Sequence, residues 1–172
     1  MATAASTATA PRRKFSVKPD NFDRALAVAS ALLAGAVVAA LIRGRSEWGE
    51  VPLLVWPHIA TILVALLLTP VMLVRRRGDR LHRRLGYVWV ALMAVTAAVS
   101  FGIRDINEGA LSPIHILSAF TLGALPLIVW FARRHQHARH RNMIRGMVVG
   151  ALLTAGFFTF PFDRMLGRWL FG

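Results

Sequence analysis

The sequence predicts an all-α integral membrane protein of five transmembrane helices, the last four forming a bundle made from a duplicated hairpin. Three observations predict it. More than half of the residues are hydrophobic, and they gather into long runs. Arginine clusters separate those runs, as they do where short loops encode membrane topology. One pattern is also written twice between Pro57 and Phe160, and duplication of a supersecondary unit decides the fold.

The first copy reads Pro57-His58-Ile59, Pro70, the triplet Arg75 to Arg77, His82-Arg83 and Gly86. The second reads Ile114-His115-Ile116, Pro126, the pair Arg133-Arg134, His140-Arg141 and Gly146. From these landmarks we place a basic cytoplasmic tail at 1–24, a first helix at 25–42, the duplicated core at 52–160 and a closing tail at 161–172. The core's hairpins span about 52–104 and 113–160.

Residues 1–10 are small and polar, with too little apolar surface to offset the entropy of ordering. The basic residues that follow, from Arg12 to Arg24, suit anionic headgroups. The first span, Ala25 to Ile42, carries Ser30, Ala34 and Gly35 as a small-residue face for another helix. A cleaved signal is the rival reading, but the basic region is long and the apolar run exceeds a signal core. Arg43 to Glu50 reads as a hydrophilic outer loop. The second span runs from Pro52 or Pro57 to Val74, with Pro57 suited to a first helical turn and Pro70 expected to loosen the inner end. Arg75 to Arg84 is an inner loop and Leu85 to Ile103 the third span. Ser112-Pro113 reads as an N-cap with proline at the first helical position, opening the fourth span to Ala132. Arg133 to Arg145 is the second inner loop, Gly146 to Phe160 the fifth span, and Phe162 to Phe171 an interfacial tail.

Orientation follows from charge. Sixteen of the 21 lysines and arginines fall in the tail and the two inner loops, so the N-terminus is expected inside and the C-terminus outside. Trp48, Trp56 and Trp169 then fall near the outer boundary, and Tyr87, Trp89 and Trp130 near the inner one. The net charge of +13 would suggest nucleic acid in a soluble chain. Its placement in loops between apolar runs points to lipid instead, and no nucleic acid partner is expected.

The repeat sorts four histidines by depth. His58 and His115 open the second and fourth spans at the outer side, while His82 and His140 open the third and fifth at the inner side. Copies of like orientation are related by an axis along the membrane normal, so equivalent residues face each other at equal depth. One histidine pair per leaflet results, and paired imidazoles are what a six-coordinate b-type haem takes as axial ligands. Gly86, one turn beyond His82, would admit a flat macrocycle, and Arg83, Arg84 and Arg141 are placed to pair with propionates. His135 and His137 read as exposed loop residues. The bland reading of all four candidates is contact with headgroups or water near the ends of the spans.

The chain has no cysteine, which excludes disulfides, thiolate metal sites, iron–sulfur clusters and covalent haem attachment. No nucleophile motif, HExxH or phosphate-binding glycine loop is present. No Asp or Glu lies inside a span, which disfavours an ion-coupled carrier.

The HRRLG string at His82 to Gly86, together with Pro57-His58, Pro113-Ile114-His115 and the HRNMIR string at His140 to Arg145, resembles a family of small bacterial membrane proteins, the domain-of-unknown-function 2306 family. That resemblance covers about residues 50–160, and it implies a multi-pass protein of the bacterial inner membrane without implying an activity. A more distant resemblance is to the cytochrome b-561 type of two-haem core. It implies that His58 pairs with His115 and His82 with His140, with haem b as cofactor. The loops here are shorter than in that pattern, and the inner histidines lie nearer the arginines.

Two functions are therefore carried forward. The first is a transmembrane electron carrier between an inner reductant, such as a quinol, and an outer acceptor. The second is a non-catalytic scaffold or assembly partner without cofactor, able to form an oligomer.

Overall fold

Helix α1 (Asn21–Arg43) starts where Asp20 and Asp23 form a reciprocal capping box. The Asp23 backbone N–H donates to Asp20 Oδ1 at 3.0 Å and the Asp20 N–H to Asp23 Oδ2 at 3.2 Å, satisfying donors that a helix start leaves without partners. The computed structural model describes residues 18–103 and 113–172, and among these every regular element is helical. A 3-10 turn, Gly44–Glu50, follows α1, then α2 (Val55–Val74), α3 (Arg80–Ser100) and α4 (Pro113–Arg133). Helix α5 (His137–Met147) runs without a break into a π-helical segment, Val148–Thr154, and the short α6 (Ala155–Phe157). Helix α7 (Met165–Phe171) ends the chain.

Three stretches are long and apolar enough to cross a membrane: Asn21–Glu50, Val55–Val74 and Ile114–Arg133. Helix α3 opens with Arg80, Arg83 and Arg84, and the stretch after α4 is divided by its change of helix type. Both are less uniform than the expected spans.

Neighbouring helices pack in chain order from α1 to α5, and the π segment also touches α1, α2 and α4. The first helix is thus part of the core. Ser30 and Ala34 face inward as expected, whereas Gly35 is exposed. The centre is apolar, with Ala65 and Leu66 from α2, Met93 from α3, Leu125 and Ile128 from α4 and Leu152 from the π segment all buried.

Several boundaries differ from the sequence reading. The outer loop at Arg43 to Glu50 is mostly helical. Helix α3 begins within the expected inner loop, at Arg80, because Asp79 caps it by accepting from the His82 N–H at 2.6 Å. Helix α5 begins at His137, so His140 lies on a helix. Trp89 is not at a boundary but inside the core, where its Nε1–H donates to Thr69 Oγ1 at 3.0 Å. The closing tail forms α7, with Leu166 and Trp169 buried against α1. Trp169 lies over Gly44, where any β-carbon would collide with its ring, and its Nε1–H donates to Glu47 Oε2 at 2.9 Å. The expected N-cap Ser112 and the stretch 104–111 before it lie outside the described residues.

Candidate functional site

The fold has an arginine-rich end and a tryptophan end, and a candidate site lies at the first. A tie of charges builds one wall of it. Asp23, fully buried, accepts from Arg77 in the turn after α2, from Arg141 Nη2 at 2.5 Å and from Arg145 Nε at 2.9 Å. Asp20 joins from the helix start, with Arg145 at 2.5 Å and Arg141 at 2.8 Å. Hydrogen bonding to Arg145 holds the Asp20 carboxyl below its ordinary range. A buried charge is costly unless paired and hydrogen-bonded, and here α1, the α2–α3 turn and α5 meet to satisfy that condition.

Beside this wall lies a cavity of about 410 Å³ that both His82 and His140 line, together with Gly86. Each histidine is brought there by a helix start: Asp79 caps the turn carrying His82, and α5 opens three residues before His140. The His140 Nδ1–H donates to the Ile128 carbonyl at 3.0 Å. That bond orients the ring and leaves Nε2 with its lone pair, the state in which histidine ligates a metal. His82 Nδ1 is buried without a hydrogen-bond partner among the described residues. Burial pushes both imidazoles below their ordinary value, and repulsion from His140 adds to the effect on His82. Both are thereby favoured as neutral rings.

Gly86 contributes by absence. A β-carbon there would meet only Met72 Cε, at an ordinary 3.6 Å, so packing alone does not demand glycine, and the missing side chain leaves room beside the cavity. Arg83 and Arg133 also line it, and neither has a carboxylate partner among the described residues. Arg141, expected to meet a propionate, is instead committed to Asp20 and Asp23. Arg84 is not among the lining residues. His135 and His137 also line the cavity and are exposed as expected, with ring centres 5.9 Å apart, but His137 opens α5 and is not in a loop.

The other pair lies toward the tryptophan end, against α3. The His58 Nδ1–H donates to the Thr96 carbonyl at 3.2 Å, the same kind of backbone tether as at His140. His115 is buried, with its ring centre 5.8 Å from that of Phe101. Hydroxyls bridge the helices around them: Thr61 meets Thr96 at 2.7 Å and Ser100 meets Ser118 at 2.5 Å. Among the described residues no group of three or more His, Asp or Glu side chains is placed to hold a bare metal ion. Haem needs only two, so the pairs are not excluded by this.

Asp23 went unassigned from sequence, although an acid three residues after Asp20 at the start of an apolar run is a capping-box signal. Nothing local marked Arg133 or the hydroxyl bridges. Comparison of the chain with protein-family models, with curated proteins and with solved structures finds no match.

Proposed function

We propose that this is a five-span inner-membrane protein that carries electrons through b-type haem, with one bis-histidine site per leaflet. The observation that carries the reading is the shared cavity of His82 and His140, lined also by Gly86. Its volume lies within the roughly 300–1,000 Å³ common for cofactor sites. His82 and His140 would hold the iron at the arginine-rich end, Arg83 would meet a propionate, and His58 and His115 would serve the opposite leaflet. Haem so held supplies a one-electron couple tuned by its axial ligands and their hydrogen bonds. The chain's own residues orient one imidazole of each pair, His140 through the Ile128 carbonyl and His58 through that of Thr96, and keep its Nε2 available.

A second feature supports electrons over ions as the cargo. Between the Thr61–Thr96 bridge and the Thr69–Trp89 bond, eight residues of α2 rise about 12 Å at roughly 1.5 Å each. Ala65, Leu66, Met93 and Leu125 fill that interval, all buried and apolar. Ion or proton transfer needs polar groups or water along its path. The scaffold reading remains the rival without cofactor.

A reduced-minus-oxidised visible spectrum of the purified protein, expressed with added haem, tests the proposal. The expected result is a low-spin b-type spectrum, reduced to about half in a His82→Ala/His140→Ala variant and likewise in His58→Ala/His115→Ala. A folded, colourless preparation would leave the scaffold.

A further inference from the structure

Next to the histidine cavity, the surface between α3 and α4 carries a second hollow of about 450 Å³. Val90 and Ala94 form its α3 side, and Leu122, Pro126 and Val129 its α4 side. Val90, Val129 and Arg133 line both spaces, so the hollow adjoins the cavity rim. Pro126 helps to open it, since a proline inside a helix cannot bond the carbonyl four residues back and displaces it. The hollow is apolar except at one end, where Arg133 stands beside Trp130.

The duplication shows what is unusual about that end. Pro70 and Arg75 to Arg77 in the first copy correspond to Pro126 and Arg133-Arg134 in the second. In the first copy, arginines are neutralised from within the chain, Arg75 by Asp79 at 2.6 Å and Arg77 by Asp23. In the second, neither Arg133 nor Arg134 has a carboxylate among the described residues. Both are nonetheless held in place by aromatic rings. The Arg133 guanidinium lies 6.0 Å from the centre of the Tyr87 ring, and its Nε–H donates to the Tyr87 hydroxyl at 3.2 Å. Arg134 lies 5.8 Å from the centre of the Trp130 ring. A planar guanidinium so placed is pre-oriented for an oxyanion and loses little freedom on binding it.

We propose that the α3–α4 hollow binds one anionic phospholipid, its phosphate on Arg133 and Arg134 and an acyl chain along Ala94, Leu122 and Pro126. An apolar trough ending at Arg133, with Arg134 next in the chain and placed over the ring of the lining Trp130, matches a lipid better than a free anion, which has no use for the trough. The site does not depend on haem.

Native mass spectrometry of the detergent-purified full chain tests this with phosphatidylglycerol and phosphatidylcholine. The wild type is expected to retain one phosphatidylglycerol in preference to phosphatidylcholine. Each arginine contributes roughly fivefold, so Arg133→Gln/Arg134→Gln should lower retention about 25-fold. Ala94→Phe, which fills the trough and leaves the charges alone, should lower it as well. Circular dichroism and size exclusion verify folding, and should the double variant fail to fold, Ala94→Phe and the lipid preference decide. Equal retention of the two lipids, unchanged retention in Ala94→Phe, or complete displacement by millimolar inorganic phosphate would each overturn the proposal.

Discussion

Asp23 receives three guanidiniums in a place closed to water, so Asp23→Asn would leave Arg77, Arg141 and Arg145 facing a neutral amide. Removing one partner of a buried ion pair costs about 3–5 kcal/mol, and the variant should unfold correspondingly earlier in a detergent denaturation series. Asp20→Asn should cost less, because that side chain is half exposed at 49%. A loss for Asp23→Asn no larger than for Asp20→Asn would show that the arginines find other partners. The recurrence of the histidines is visible in the sequence because it is a spacing, and spacing is local. The Asp23 tie was not, since its partners lie 54, 118 and 122 residues away. For the same reason Arg141 read as available, when folding brings it to an acid at the far end of the chain.

At the scale of elements, the cap on α3 sets where His82 sits. Asp79 bonds the His82 N–H and pairs with Arg75, and that pairing holds its carboxyl below the ordinary value of 3.8. Asp20 is depressed in the same direction. An unfolded chain takes up protons at the ordinary value while the folded one does not, so the stability these acids contribute is present above it. It is lost as pH falls through their lower folded values. Thermal unfolding in detergent should therefore show no pH dependence from these acids between about pH 7 and 5, where their contribution is complete, and a falling midpoint below about pH 4. Asp79→Asn should flatten that fall and lower the midpoint at neutral pH. The cap was written in the sequence as an acid before a helical run, but the arginines made the first turn of α3 look like loop. The π segment had no comparable signal. Its Val, Gly, Ala, Leu and Thr residues suit an α-helix equally well, and only packing against α1, α2 and α4 distinguishes the two.

For the whole molecule, the helical class, with no strand among the described residues, was legible from apolar runs and their punctuation, while the docking of α1 and α7 was not. Gly44 beneath Trp169 joins two segments whose composition gives no hint of their meeting. The layer of Ala65, Leu66, Met93 and Leu125 also belongs to this scale, because it is assembled from three helices. Proteoliposomes carrying the protein and an internal pH dye should hold an imposed proton gradient as long as empty liposomes do. Leakage that scales with protein content would mean that the layer opens. The tie at Asp23 also imposes an order of events in biogenesis. Its acid is synthesised with the first helix, Arg77 follows after the second, and Arg141 and Arg145 emerge only with α5. The carboxylate must wait, partly compensated, until α5 has left the ribosome. The wall beside His82 and His140 therefore closes only after α5 has been made, and a ligand that requires both histidines is loaded no earlier than that.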